Sequence, residues 1–170
     1  GDELSSLEEA DVCVDFTAPE CVVGNVQKVA SLQKNLVVGT TGWEKDLPLV
    51  KSLVEKSQIA LMYAPNLSVG VWLFRQILKK TASLAKDVGD YDVGGMEIHS
   101  QTKKDAPSGT AKLVLSELQE IVGDKEIPFS HLRSGTHLPV HSFLFDSLDD
   151  TIEITHRVKS REGFAKGALE

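Results

Sequence analysis

One short segment of the chain combines residue types that can move protons on an anionic substrate. It extends from Glu97 to Thr110 and reads Glu-Ile-His-Ser-Gln-Thr-Lys-Lys-Asp-Ala-Pro-Ser-Gly-Thr. A histidine such as His99 gives or takes a proton near neutral pH, and a lysine such as Lys103 holds positive charge where negative charge develops. A helix is predicted to begin at Ser108, and the free backbone N–H groups of a helix start attract a carboxylate or a phosphate. This combination predicts an active site for an anionic substrate that must be protonated.

Each of these residues also has an ordinary structural explanation when it is taken alone. A single histidine at the end of a strand is more often structural, Lys103 and Lys104 could lie in a solvated loop, and Ser108 could serve only as a helix N-cap. Only their combination in one segment favours catalysis over these explanations.

The charge balance of the chain excludes some classes of partner. The 170 residues are 41% hydrophobic and 25% charged, which suits one domain with a substantial core or two small lobes. Twenty-five acidic and 18 basic residues give a formal net charge of -7. No overall positive field would therefore draw in nucleic acid or an anionic membrane. A local basic pocket formed by Lys103, Lys104 and Arg133 is still compatible with this balance.

Neither a membrane span nor a metal site is predicted. No apolar run approaches the roughly 20 residues that cross a bilayer. Cys13 and Cys21 have no companions at metal-ligand spacing, and we interpret them as free thiols in a reducing cytosol. No predicted helix carries any of the four histidines that follow His99, and no cysteine joins them, which argues against zinc. They are His131, His137, His141 and His156. We expect a cytoplasmic protein, with a plastid form that has lost its transit peptide as the alternative.

The first 67 residues alternate short apolar strands with helices. Strands are predicted at residues 12–16, 35–39 and 59–63, and helices at residues 20–32 and 44–57. This order implies a parallel sheet, whose ligands collect beyond the carboxyl ends of the strands. Three loops leave those ends, at residues 17–18, 39–42 and 64–67. Taken alone, the Gly-Thr-Thr-Gly sequence of the second loop is more typical of an ordinary strand-to-helix turn.

The rest of the chain combines two long helices with a strand-rich region. Helices are predicted at residues 69–86 and 108–121, and strands at residues 93–98, 129–133, 140–145 and 151–158. The first helix carries an apolar stripe of Val69, Leu73, Ile77 and Leu84, which indicates either core packing or a subunit seam. The strands and their long connections predict a mixed or antiparallel sheet in an α+β unit.

The segment from His99 to Ala111 resembles the signature of the dihydrodipicolinate reductase family. That signature reads His-His-x-x-Lys-x-Asp-Ala-Pro-Ser-Gly-Thr-Ala, and its part from Lys103 onward is intact here. Ser100 stands in place of the second histidine, which in the family helps to hold the substrate. Other family landmarks are resembled, in the right order, by Asp15-Phe-Thr-x-Pro19, Val38-Gly-Thr-Thr-Gly42 and Asn66-x-Ser-Val-Gly-Val71.

This resemblance implies a fold and an activity. The fold would be α/β, with a parallel, incomplete Rossmann-like lobe at residues 1–67 that binds the dinucleotide. A following α+β lobe with a mixed open sheet, at residues 68–170, would bind the substrate and form the oligomer. NADH or NADPH would reduce a cyclic unsaturated dicarboxylate to tetrahydrodipicolinate, on the route to diaminopimelate and lysine. The resemblance also implies a homotetramer.

The resemblance assigns roles to individual residues. His99 would give or accept a proton, and Lys103 would be a second proton donor whose charge stabilises negative charge. Substrate contacts are assigned to Ser100, Gly109 and Thr110. Cofactor contacts are assigned to Gly39, Thr40, Thr41, Ala64, Pro65, Asn66 and Leu67. Leu67 replaces a common phenylalanine, which should alter the packing near the nicotinamide ring.

One motif expected of a dinucleotide-binding fold does not occur in the sequence. The chain has no Gly-x-Gly-x-x-Gly turn to receive a pyrophosphate, and the resemblance begins after the family's first strands. We therefore expect a fragment or a shortened member with weakened cofactor affinity. Two alternatives to an active reductase stay open. One is a binding or assembly module that transfers no hydride, and the other is a related dehydrogenase with a different substrate.

Overall fold

A computed structural model describes residues 5–169 of the chain, with side chains from residue 7 onward. Contacts between Cα atoms divide it into two compact units. The N-terminal unit contains the described residues up to 67 together with residues 168–169, and the C-terminal unit contains residues 68–167. No helix in the described range has the length and apolar character needed to cross a membrane.

The N-terminal unit is built on a three-stranded parallel sheet. Its elements are α1 (Ser5–Glu8), β1 (Val12–Asp15), α2 (Val22–Ser31), β2 (Asn35–Val38), α3 (Leu47–Ser57) and β3 (Leu61–Tyr63). Short 3-10 turns at Pro19–Cys21 and Glu44–Asp46 lead into α2 and α3. The strand order is β1-β2-β3 and both pairs are parallel. The loops that leave the carboxyl ends of the strands therefore lie along one edge of the sheet.

One face of this sheet packs into the core of the N-terminal unit. Burial alternates along the strands, so that Cys13, Leu36 and Val38 are buried whereas Val12 and Val14 are about half exposed. The buried strand residues form one cluster with side chains from the two longer helices and the loop before α3, which are Val22, Val26, Val29, Trp43 and Val50.

The C-terminal unit contains a four-stranded mixed sheet. Its elements are α4 (Val69–Val88), β4 (Asp92–His99), α5 (Gly109–Val122), β5 (Phe129–Arg133), β6 (Val140–Asp146) and β7 (Thr151–Arg157), and α6 (Glu162–Leu169) follows. The strand order is β5-β4-β6-β7. The pair β4–β5 is parallel, whereas β4–β6 and β6–β7 are antiparallel.

Two helices contribute to the core on one face of the mixed sheet. Phe74 and Leu78 of α4 and Val114 and Leu118 of α5 are buried in one cluster with Phe143 of β6. Apolar side chains on α4 and α5 therefore fix the position of β4, the strand that carries His99.

The other face of the mixed sheet exposes an apolar patch. Met96, Leu132 and Leu144 lie on the neighbouring strands β4, β5 and β6, and they expose 42%, 52% and 38% of their surface. The strand register places these three side chains on the face opposite to Phe143, because successive side chains alternate between faces. We call these three residues the outer patch.

The predicted fold class is confirmed, since a parallel α/β arrangement precedes an α+β unit with a mixed sheet. Strand β3 begins two residues later than predicted, at Leu61, and the N–H of Ala60 donates to the side chain of Asn35. Helix α4 extends two residues beyond the prediction, to Val88, and Gly89 ends it in a left-handed conformation. The helix α6 was not predicted.

The core-packing interpretation of the stripe on α4 is wrong. Val69, Leu73, Ile77 and Leu84 expose 42% to 52% of their surface. The residues that α4 buries are Val71, Phe74, Leu78 and Ala82. Helix α4 is apolar on both faces, so a periodic stripe alone could not indicate which face is covered.

Candidate active site

Three polar side chains form a buried group in the C-terminal unit, which we call the Glu97 cluster. Glu97 and His99 are two residues apart on β4, so both side chains lie on the same face of the sheet. The antiparallel register between β4 and β6 places His141 directly opposite Glu97. Glu97, His99 and His141 expose only 0%, 7% and 2% of their surface.

The two carboxylate oxygens of Glu97 have different neighbours. Oε1 accepts hydrogen bonds from the backbone N–H of Ser108 at 3.0 Å and from Nη2 of Arg133 at 2.6 Å. Oε2 lies 3.4 Å from Nε2 of His99 and 3.4 Å from Nε2 of His141, without a hydrogen bond among the described residues. Arg133, predicted as part of a basic pocket, is therefore paired with a carboxylate.

Glu97 is ionised in this arrangement. Burial alone would raise the pKa of Glu97, but the hydrogen bonds from Ser108 and Arg133 outweigh burial and hold the pKa below its ordinary value. The cluster therefore contains a fixed negative charge.

Burial keeps the two histidines of the cluster neutral near pH 7. Burial lowers the pKa of His99. The negative charge of Glu97 raises this pKa by less than burial lowers it, and the positive charges of Arg133 and Lys103 lower it further. Burial lowers the pKa of His141 to about 4. At neutral pH, Glu97 is therefore a carboxylate beside two neutral imidazoles rather than a member of two ion pairs.

Ser108 connects the start of α5 to the cluster. It is the N-cap of this helix, and its Oγ accepts the N–H of Ala111 at 3.2 Å. The same Oγ lies 3.2 Å from Nε2 of His141, while the N–H of Ser108 donates to Glu97. The N-cap function predicted for Ser108 is confirmed, and the residue also fixes the helix start against the cluster.

Lys103 lies on the loop between β4 and α5, where it forms an ion pair with Asp105. Its Nζ is 2.7 Å from Oδ1 of Asp105, and the two side chains expose 38% and 45%. Burial would raise the pKa of Asp105, but the hydrogen bond from Lys103 outweighs it and the pKa is lowered, with a smaller contribution from the N–H of Gly109. The carbonyl of Asp105 also accepts a hydrogen bond from Arg133 at 2.6 Å.

The predicted substrate residues lie on the same loop and at the start of α5. Oγ of Ser100 is 2.8 Å from Oγ1 of Thr102. Gly109 is the first residue of α5, it is exposed, and a Cβ atom built there would meet nothing within 4 Å. Thr110 follows it and is half-buried. The loop and the helix start are thus accessible next to a buried proton-bearing group.

Asp15, at the carboxyl end of β1, connects two of the three loops that leave the carboxyl ends of the strands in the N-terminal unit, those of Thr17 and Thr40. Its Oδ1 accepts the N–H and the hydroxyl of Thr17, both at 2.8 Å, and the hydroxyl of Thr40 at 2.9 Å. Its Oδ2 accepts Nδ2 of Asn25 at 2.9 Å. Burial would raise the pKa of Asp15, but these hydrogen bonds outweigh burial and lower it.

The predicted cofactor residues differ in their accessibility. Thr40 is buried, its hydroxyl is bound by Asp15, and its carbonyl accepts Nε1 of Trp43 at 2.8 Å. Gly39 lies against the Phe16 ring, because an added Cβ atom would be 2.1 Å from Cε1 of that ring. Of the others, Thr41 and Pro65 are exposed, Ala64 and Asn66 are half-buried, and Leu67 is buried.

The Glu97 cluster also has the spacing of a metal site. Glu97, His99 and His141 offer ligand atoms that lie within 4.8 Å of one another. Arg133 already neutralises the carboxylate, however, and Lys103 and Asp105 neutralise each other, so no net negative charge is left to hold a divalent cation. The arrangement is better suited to holding and moving a proton.

The sequence alone led to no assigned role for Glu97 or His141, and the possibility that His141 binds a metal was rejected. The signal in the sequence was the alternation Glu-x-His within an apolar strand, which places a carboxylate and an imidazole on the same buried face. The third member, His141, comes from another strand and depends on the register, which no local pattern specifies.

Comparison with known proteins gives one consistent result. Residues 1–67 match the family model described as dihydrodipicolinate reductase, N-terminus, and residues 70–170 match the model described as dihydrodipicolinate reductase, C-terminus. Two similar relatives are named 4-hydroxy-tetrahydrodipicolinate reductase. The protein of Buchnera aphidicola subsp. Schizaphis graminum is 34% identical, with 94% of this chain and 65% of the relative covered. That of Christiangramia forsetii is 35% identical, with 95% and 72% covered.

A solved structure is similar over nearly the whole chain. It is the dipicolinate-bound dihydrodipicolinate reductase from Paenisporosarcina sp. TG-14, with 25% identity, a TM-score of 0.76, and coverage of 98% of this chain and 70% of that one. The chain therefore spans about two thirds of the length of the relatives it matches, between 65% and 72%.

Proposed function

The chain belongs to the dihydrodipicolinate reductase family, and from this premise we propose that it reduces a cyclic unsaturated dicarboxylate to tetrahydrodipicolinate with NADH or NADPH. The observation that carries the proposal is the position of His99. This neutral imidazole is held in the Glu97 cluster at the end of β4, and the accessible loop of Lys103 and the start of α5 follow it directly. We propose that these three features together bind and protonate the substrate.

The charges around the site suit a dianionic substrate. Lys103 is half-exposed on the loop, and a helix start such as that at Gly109 favours a carboxylate. We assign one substrate carboxylate to Gly109 and Thr110, with Ser100 as a further contact. A solved relative carries dipicolinate, a planar cyclic dicarboxylate, by its own description.

Substrate binding would change the protonation of His99. Its pKa is lowered in the free chain by burial and by Arg133 and Lys103. Two substrate carboxylates beside the ring would offset those positive charges and raise the pKa again. His99 would then take up a proton from solvent when the substrate binds and pass it to the substrate during reduction, with Lys103 as a second proton donor.

The N-terminal unit is proposed to bind the nicotinamide cofactor, which supplies the hydride when it is bound. This proposal is supported by the topology of the unit. The residues proposed to contact the cofactor lie on two loops, at 39–41 and 64–67, at the common edge of the three parallel strands. The Asp15 network fixes Thr17 and Thr40 at this edge, so the backbone there is held before a ligand arrives. The two free cysteines, Cys13 and Cys21, fit the reducing cytoplasm that such a cofactor implies.

We also propose that the chain assembles into a homo-oligomer, a tetramer by family resemblance, through its mixed sheet. The outer patch presents Met96, Leu132 and Leu144 along a diagonal across three paired strands, because Leu132 is opposite Ile98 and Leu144 is opposite Gly94. A contiguous apolar sheet face of this kind is stabilised when a second sheet covers it.

The decisive test is an activity assay with matched variants. The purified chain, the cyclic dicarboxylate and NADH or NADPH are mixed, and the loss of reduced-nicotinamide absorbance is followed. We expect His99→Gln and Lys103→Met each to lower kcat by about 10²-fold, since both move protons. His137→Gln is the control, because His137 is exposed and outside the Glu97 cluster.

The outcomes separate the proposal from its alternatives. No turnover by a folded chain that still binds dipicolinate would refute the reductase and favour a binding module. Turnover that dipicolinate does not inhibit would favour a dehydrogenase with another substrate. Equal rates in the His99, Lys103 and His137 variants would refute the assigned roles while leaving the activity itself intact.

A further inference from the structure

The Glu97 cluster contains two buried polar atoms that face each other without forming a conventional hydrogen bond. Within residues 7–169, Oε2 of Glu97 and Nε2 of His99 are both buried and without a hydrogen-bond partner, and they lie 3.4 Å apart. A shift of a few tenths of an ångström would bring the pair to the ordinary N–H···O distance of about 2.9 Å. Leaving a buried carboxylate oxygen unpaired is costly, so this contact has a strong reason to form.

We propose that Glu97 is a positioning residue for His99, an inference that rests on the proposed function. Its Oε2 accepts the N–H of Nε2, which fixes the tautomer and the orientation of the imidazole. Nδ1 is then the ring nitrogen that takes a proton from solvent and delivers it to the substrate. Glu97 stays ionised throughout and stabilises the imidazolium that forms while Nδ1 is protonated.

The surroundings of Glu97 explain why it can hold this role without taking the proton itself. Arg133 from β5 and the N–H of Ser108 at the start of α5 both donate to Oε1, which keeps the charge on the carboxylate. Oε2 is therefore the only oxygen of Glu97 left for the histidines. A carboxylate fixed in this way is rigid, because two different elements hold it in place.

His141 from β6 shares the same oxygen but cannot replace His99. Its Nε2 is also 3.4 Å from Oε2 of Glu97 and 3.2 Å from Oγ of Ser108. Burial lowers the pKa of His141 to about 4, so this imidazole is neutral near pH 7. His141 is thus a neutral neighbour of Glu97 and Ser108 rather than a proton carrier.

The other charged and titratable groups near His99 act in known directions. Lys103 and Asp105 on the loop lower and raise the pKa of His99, respectively, and Arg133 lowers it. His156 on β7 acts on His141 rather than on His99. Glu97 is the largest of the contributions that raise the pKa of His99, so removing its charge should leave His99 with a lower pKa.

The first test reads the tautomer of His99 in the wild-type chain. Nitrogen-detected NMR of the imidazoles in the whole chain identifies the tautomer, and loss of a resonance in His99→Gln assigns it. We expect neutral His99 to carry its proton on Nε2. A proton found on Nδ1 overturns the proposal, whether or not the chain proves to be a reductase.

The second test compares two ion-paired carboxylates in the same unit, the buried Glu97 and the half-buried Glu117. Glu97→Gln should lower the pKa of His99, lower kcat by at least about tenfold with a smaller change in KM, and move the pH–rate profile to lower pH. Glu97→Asp should recover part of each effect. Glu117→Gln is the matched control, because Glu117 is ion-paired with Arg75 between α4 and α5, away from the histidines.

The comparison distinguishes positioning from simple structural support. Equal losses of thermal stability in Glu97→Gln and Glu117→Gln, with a changed His99 pKa only in Glu97→Gln, support the proposal. An unchanged His99 pKa in Glu97→Gln overturns it. If Glu97→Gln does not fold, the tautomer of the wild-type chain and the pKa in Glu97→Asp decide the question.

Discussion

Replacing Asp15 by alanine should destabilise the N-terminal unit by about 3 kcal/mol. The carboxylate of Asp15 accepts four hydrogen bonds, at distances between 2.8 and 2.9 Å, from Thr17, Asn25 and Thr40. The two hydrogen bonds from Thr17 cost little to lose, because Thr17 is exposed and water can replace the carboxylate as its partner. Thr40 exposes only 8%, and its hydroxyl would stay unpaired at a cost of about 1–3 kcal/mol. Loss of the Asn25 bond to a charged acceptor adds about 1.5 kcal/mol, the low end for such bonds, because Asn25 is half-buried and still donates to the hydroxyl of Thr17.

Trp43 provides a local probe for this measurement. It exposes 2% of its surface and its Nε1 donates to the carbonyl of Thr40, so its fluorescence reports on the loop that Asp15 holds. Because Trp72 in the C-terminal unit also fluoresces, the measurement is made in a Trp72→Phe background. Urea unfolding followed by the Trp43 signal should show a lower midpoint for Asp15→Ala than for Asp11→Ala, since Asp11 is exposed. NADH affinity should fall in parallel if the loop contacts the cofactor.

The pH dependence gives the same experiment a second readout. Hydrogen bonds lower the pKa of folded Asp15 below its ordinary value of 3.8. Its stabilising contribution is therefore complete above 3.8 and is lost as the pH falls through the lower, folded pKa. The stability difference between the wild-type chain and Asp15→Ala should shrink in that acid range. Equal urea midpoints for Asp15→Ala and Asp11→Ala at pH 7 would refute the view that this network holds the loops.

Two further predictions concern the mixed sheet of the C-terminal unit. Gly95→Ala should lower the free energy of unfolding by about 1–3 kcal/mol, because the new Cβ atom would be 2.8 Å from the buried Phe143 ring. Thermal unfolding measures this effect, with Gly109→Ala as the control. Equal melting temperatures for the two variants would contradict the prediction. Leu144→Glu places a charge in the outer patch and should shift the chain towards monomers. Size-exclusion chromatography with light scattering measures this shift. Leu148→Glu is the control and should not change the mass, because Leu148 is fully exposed. An unchanged mass for Leu144→Glu would remove the patch as an assembly surface.

The fold class could be predicted from the sequence because it depends on local patterns of residues. The alternation along residues 151–158 predicted β7, and the Ser-Gly-Thr-Ala start predicted α5 within one or two residues. Short apolar strands separated by helices predicted the parallel sheet. Each of these features depends on neighbours in the chain, which is why a single sequence shows them.

The rest depended on contacts between distant residues. The covered face of α4 is decided by what packs on it, so the exposed stripe that includes Leu73 and Ile77 was misread as a possible core face. The Glu97 cluster needs the pairing of β4 with β6, and the Asp15 network joins residues 25 positions apart. Position along the chain gives no sign of either arrangement. The motif marked the segment that we propose as the active site, but it assigned no role to the buried carboxylate of Glu97.

The position of Glu97 in the middle of the sheet has a consequence for folding. Its partners stand on both neighbouring strands, with Arg133 on β5 and His141 on β6. A slip of one residue in either pairing would turn the partner to the opposite face of the sheet. A compact chain with misaligned strands could keep its helix and strand content. A slip of β5 would nevertheless leave Glu97 as a buried charge without Arg133, and a slip of β6 would remove its contact with His141. Recovery of activity after refolding would therefore report the alignment of three strands, which circular dichroism does not detect.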